Sequence, residues 1–210
     1  MPKNDESLKP THEDQRHHID RASLYEAVGE AIAGWSDIED SLAVAFSRAT
    51  RADLHIATAV LNSANSFTGK ERMLRYGIDA GKQLWSDDKR YLIEMDVFSQ
   101  CLKRAADWAH QRNWLAHNRI NTAIKGGVYV GGVVSPRKTS SNWEGNTLTE
   151  QAVRECTESF NRLSTVVLEA AFAKGLETLQ ELSQKACDLP KKPYQHSIDH
   201  ILNNERTATD

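Results

Sequence analysis

Apolar residues recur at helical spacing through most of this chain. Leu24, Val28, Ala31, Trp35, Ile38, Leu42 and Phe46 step by threes and fours, so a helix beginning near Asp20 carries them as one stripe. Thr50 to Asp53 reads as a turn and restart. A second helical stretch holds Leu54, Ala57 and Leu61, and Ser63 to Ser66 interrupts it. A third runs from Phe67 through Met73, Leu74 and Ile78, with Gly81 as its expected stop. Ser86 opens a long helix, with Asp87 and Asp88 suited to its first turn. Along it Leu92, Met95, Ser99, Leu102, Ala106, Ala109, Asn113 and Ala116 form the expected packing seam, its small residues allowing close approach of another helix.

The period changes after Ile120. Ile120–Ile124 and Val128–Val134 are short β-prone runs around Lys125-Gly126-Gly127, a hairpin signal. Gly131-Gly132 suggests a bulge or a close backbone approach. A polar loop, Ser135 to Asn146, leads to Thr147-x-x-Glu150, which has the form of a capping box. A final long helix carries Val153, Cys156, Phe160, Leu163, Val167 and Ala170, with a continuation expected past Gly175 through Leu176, Leu179 and Leu182. The fold class is therefore mainly all-α, with a small β-hairpin insertion over about residues 120–134. Residues 1–19 are expected to be a disordered tail, 20–189 the helical domain and 190–210 an extended C-terminal tail.

A chain of 210 residues holds one domain with a real core. No apolar run is long enough to cross a bilayer, and Met1 to Asp20 has no signal-peptide core, so a cytoplasmic location is expected. Cys101, Cys156 and Cys187 are dispersed and form no Cys-x-x-Cys pair, which fits a reducing compartment and disfavours a zinc ribbon. His12, Glu13, His17 and His18 read as an incidental cluster, so no metal or other cofactor is assigned. The formal net charge of −3 argues against a protein that coats long nucleic acid. The average conceals an asymmetry. Lys103, Arg104, Arg112, Arg119, Lys125, Arg137 and Lys138 fall in one stretch whose only acid is Asp107.

That stretch contains Arg112-Asn113-Trp114-Leu115-Ala116-His117. On a helix, Arg112 and His117 lie about 140° apart, on the two flanks of the expected seam. Asn113 falls between them, and His110 shares the edge of His117. A neutral imidazole can take a proton from a 2′-hydroxyl near neutral pH. A guanidinium can hold a phosphate through paired donors. Taken alone, an Arg and a His near a helix end are also an ion-pairing residue and a helix-terminal cation. Lys103, Arg104, His110 and Arg119 are candidate substrate contacts.

Arg-Asn-x-x-Ala-His late in a long helix resembles the signature of the HEPN superfamily, in which an Arg is followed after four to six residues by a His. The segment Gly34-Trp35-Ser36-Asp37-Ile38-Glu39-Asp40-Ser41-Leu42 also resembles the tryptophan, glutamate and leucine pattern of bacterial members. The resemblance implies a helical bundle with long antiparallel helices. It further implies a homodimeric, metal-independent endoribonuclease with Arg112, His117 and Asn113 as catalytic residues and RNA as substrate. Many such proteins are toxins or phage-defence effectors, so an antitoxin or neighbouring-gene partner is a further expectation. Glu39 then supports the site by pairing with Arg112 or orienting His117, or is an ordinary boundary carboxylate. The rival readings are a non-catalytic module that binds RNA or a nucleotide and a helical interaction protein.

Overall fold

A computed structural model describes residues 12–125, 128–135 and 148–194, with side-chain surroundings for 21–120 and 148–194. Among the described residues, six helices and a small sheet follow in order: α1 (His12–Thr50), α2 (Leu54–Asn62), α3 (Phe67–Leu84), α4 (Lys89–His117), β1 (Arg119–Lys125), β2 (Val128–Ser135), β3 (Leu148–Thr149), α5 (Glu150–Phe172) and α6 (Leu176–Cys187). The expected polar loop, Thr147, the His-rich cluster's side chains and residues 195–210 lie outside the described residues.

Long-range contacts fix the helix directions. Glu39 and Arg48 of α1 meet Arg112 and Glu94 of α4, so α1 and α4 are antiparallel. Ser23 meets Glu150 and Glu30 meets Arg154, so α5 runs parallel to α1. Lys185 of α6 reaches Glu169 of α5, as in an antiparallel helical hairpin. The α1 stripe forms the centre of the core: Leu24, Ala31, Trp35, Ile38 and Leu42 are all buried. The α5 stripe is buried at every expected position from Val153 to Ala170.

Several boundaries differ from the sequence reading. α1 begins at His12, inside the segment expected to be a disordered tail. Low apolar content was the signal for that tail, but a helix satisfies its backbone internally and can extend beyond its packed stripe. The N-cap of α5 is Thr149, whose hydroxyl accepts from the Ala152 backbone, so the cap lies two residues after Thr147 and the helix starts at Glu150. α5 and α6 are separate helices, broken at Ala173 to Gly175. Residues 190–194 do not leave the body. Trp108 Nε1 donates to the Pro190 carbonyl at 3.2 Å, Ser159 donates to that of Pro193 at 2.9 Å, and Pro193 is buried. The hairpin forms as expected, antiparallel, with its register shift between Ala123 and Ile124, opposite Gly131 and Tyr129. β3 extends it along β2.

Gly81 does not stop α3, which continues to Leu84. It is buried where α3 meets α1 and α4. A Cβ there would collide with the Tyr91 hydroxyl and lie 2.6 Å from the Ala49 carbonyl oxygen. Tyr91 donates to that same carbonyl at 2.6 Å, so both neighbours are fixed. Gly81→Ala is expected to destabilise the protein by about 1–3 kcal/mol through overpacking, although alanine is the better helix former. Urea unfolding checks this; a variant as stable as the parent would show that the crossing relaxes.

The seam on α4 is also displaced. Met95 and Leu102 are buried, but Leu92, Ser99, Ala106 and Ala109 are only partly so, and Asn113 and Ala116 are exposed. The buried stripe runs instead through Phe98, Cys101, Ala105, Trp108 and Leu115. Alanines fit either face of a helix; the large residues decide which face turns inward.

Candidate active site

The displaced stripe determines how the motif is presented. Cys101, Ala105, Trp108, Arg112 and Leu115 are spaced by four, three, four and three, so Arg112 occupies a position on the inward face. It is half-buried and stands where α4 passes α1. His117 lies in the last turn of α4, exposed, about 140° around the helix and roughly 7.5 Å along it. Asn118 ends the helix, its side chain donating to the Trp114 carbonyl at 2.8 Å.

Arg112 borders a cleft of about 360 Å³ between α1, the start of α3 and α4. Glu39, Asn65, Thr68, Lys70 and Asn113 also line it. Glu39 is on α1 one turn after Trp35, and the Trp35 indole N–H donates to its Oε1 at 2.8 Å. Lys70, in the first turn of α3, donates to Oε2 at 2.5 Å. Arg112 Nη2 is farther away, 3.8 Å from Oε1. Its Nη1 donates to the side-chain oxygen of adjacent Asn113 at 3.1 Å, and its buried Nε has no protein partner. A guanidinium has five N–H donors. This one is therefore only partly used by the protein, and the residue lines the cleft.

Burial alone would raise the pKa of Glu39. Hydrogen bonds from Lys70 and Trp35, with the charges of Lys70 and Arg112, outweigh it and hold the carboxyl below its ordinary value. A depressed carboxyl stabilises the fold above its unfolded pKa, and that contribution is lost as pH falls through the folded value. Glu39→Gln is therefore expected to lose less stability than the parent on acidification below about pH 4.5, the ordinary carboxyl value. Chemical denaturation at pH 7 and pH 3 gives the comparison; equal losses would mean that the carboxylate is not held by these cations.

The other sequence candidates are dispersed. Lys103 is exposed and lines a separate cleft with Glu71, Asp79 and Asp107, whose carboxylates oppose an anionic ligand. Arg104 pairs with Asp107 at 3.5 Å. His110 is exposed and stacks on Trp114, with centroids 6.1 Å apart. Arg119 is exposed at the start of β1. Thus Arg112, Asn113 and Glu39 are brought together, whereas His117, His110, Lys103, Arg104 and Arg119 are outside their cleft. Sequence reasoning missed Lys70, because its pairing with Glu39 spans two helices and leaves no local periodic signal.

No family model, curated protein or solved structure matches this chain. Among the described residues, no helix is long and apolar enough to cross a membrane, and no group of three or more His, Cys, Asp or Glu is placed to hold a metal ion.

Proposed function

We propose that this protein is a metal-independent endoribonuclease of HEPN type. The observation that carries the reading is Arg112: a half-buried guanidinium that lines a cleft, beside a carboxylate already engaged by Lys70 and Trp35, and with its Nε donor unpartnered. Such a group suits a phosphodiester. His117 follows on the same helix as the proton-transfer group. The 2′-oxygen attacks the adjacent phosphorus while an imidazole takes its proton. The bond to the 5′-oxygen breaks, and that oxygen receives a proton from an imidazolium. The products are a 2′,3′-cyclic phosphate and a free 5′-hydroxyl. Because the nucleophile is internal, the reaction needs no metal-bound water.

Arg112 and His117 of one chain lie on different faces, so the reading requires a two-fold homodimer in which a second copy brings its motif alongside the first. Two copies would also supply the two imidazoles that base and acid require. On this reading the protein acts in the cytoplasm as a toxin or phage-defence effector, and a neighbouring-gene antitoxin would be its natural restraint. The separation of Arg112 and His117 equally favours a second reading, a module that binds RNA or a nucleotide without cutting it. Incubating the purified protein with mixed cellular RNA and EDTA, with His117→Ala as the control, separates them. Cleavage with cyclic-phosphate ends supports the nuclease; intact RNA held tightly supports the binding module.

A further inference from the structure

Three arginines converge at the opposite end of the bundle from the motif. Arg48 comes from the last turn of α1, Arg51 from the turn that follows and Arg90 from the first turn of α4. With Asp88, Tyr91 and Glu94 they line an open cleft of about 410 Å³. Glu94, 18 residues before Arg112 on α4, places this cleft roughly 27 Å from the motif.

The cations exceed what the local carboxylates need. Glu94 is only 1% exposed, and Arg48 satisfies it through two donors, at 2.7 and 3.0 Å. Arg90 is 3.9 Å from Glu94 and gives one donor to the Ala173 carbonyl. Asp88 caps α4 through the Tyr91 backbone N–H and meets Arg51 at 3.4 Å, with both side chains about half exposed. The lining thus sets three guanidiniums against two carboxylates, one of them fully engaged. The positive end of the α4 dipole adds to the same sign.

Arg51 has a second peculiarity. Its φ of 53° is the left-handed region, where glycine is the usual residue after a helix. A non-glycine residue there stores backbone strain, a feature that clusters at ligand sites. The strained residue lays its guanidinium 4.2 Å over the Trp85 ring, which fixes the plane of the fork. Tyr91 is buried, and Arg51 lies over the partly buried Trp85 ring, so the lining offers guanidiniums before it offers aromatic faces. The ligand chemistry this lining favours is that of a phosphate group.

We infer that Arg48, Arg51 and Arg90 form a second anion site that binds a phosphate group, supplied either by an RNA strand or by a small phosphorylated molecule. The site is separate from Arg112 and does not depend on whether the protein cuts RNA.

The test uses the full chain and two probes, inorganic phosphate and a short oligouridylate, with sodium chloride at matched ionic strength as control. Arg51→Gly removes the guanidinium at a position whose backbone prefers glycine, so folding is retained. Arg90→Gln is the second variant and leaves the Arg48–Glu94 pair intact. Phosphate should raise the Tm of the parent, and each variant should bind phosphate about tenfold more weakly, as loss of one charge-assisted contact predicts. Matching losses for the oligouridylate identify an RNA strand as the source; unchanged oligouridylate affinity identifies a small phosphorylated molecule. No response of the parent to phosphate, or an undiminished response in both variants, overturns the proposal.

Discussion

His117→Ala is expected to lower RNA cleavage by roughly 10²–10⁴-fold, the contribution of a positioned general acid–base group. His117 is exposed at the end of α4, so the substitution removes an imidazole without opening the core. Arg112→Ala should abolish cutting as well. It leaves Glu39 with Trp35 and Lys70 at 2.8 and 2.5 Å, so no carboxylate is stranded and the fold should survive. Arg112→Lys should also fail, because an ammonium cannot supply the planar two-donor contact. Replacing the 2′-hydroxyl at the cleavage site by hydrogen removes the nucleophile and should stop the reaction. The readouts are gel analysis of the RNA, end-group chemistry and circular dichroism of each variant. Cleavage of the deoxy substrate, or activity that EDTA removes, would refute this mechanism even for a protein that proved to be a nuclease.

Trp35→Ala should be among the most damaging core substitutions, costing about 3–5 kcal/mol in urea unfolding. Trp35 is 1% exposed and packs edge-on against Phe67 at 5.1 Å and Phe160 at 5.3 Å, joining α1 to α3 and α5. Its removal leaves a cavity between three helices and takes one hydrogen-bond donor from Glu39. Trp35→Phe keeps much of the apolar volume but not the N–H. It should cost less stability while still loosening Glu39 beside Arg112. A loss under about 0.5 kcal/mol for Trp35→Ala, the range of surface changes, would mean that this face of α1 is not the core.

The two variants bear on different levels of the molecule. Trp35 belongs to a stripe visible in the sequence, and its burial follows from that stripe. The cleft beside it does not. Lys70 had no motif to mark it, and Arg51 acquires interest only through a backbone angle and a ring stacked beneath it. Gly81 looked like a helix stop because glycine often ends helices. Its actual place is a three-helix crossing, where the absence of a side chain matters more than its effect on the helix.

By itself the sequence determined the helical class, the buried faces of α1 and α5 and the hairpin after the motif helix. Those features follow from local periodicity, which requires only that large apolar residues leave water on one side of an element. The tertiary structure alone decided which face of α4 turns inward, because alanines at 105, 106 and 109 fit a seam on either side until Phe98, Trp108 and Leu115 find space in the bundle. That choice sets Arg112 against Glu39 and leaves His117 turned outward. Pairings such as Glu39 with Lys70 and Arg48 with Glu94 were likewise decided in three dimensions. Each joins residues tens of positions apart, and the energy that selects them arises from packing and local dielectric, which no short window of sequence contains.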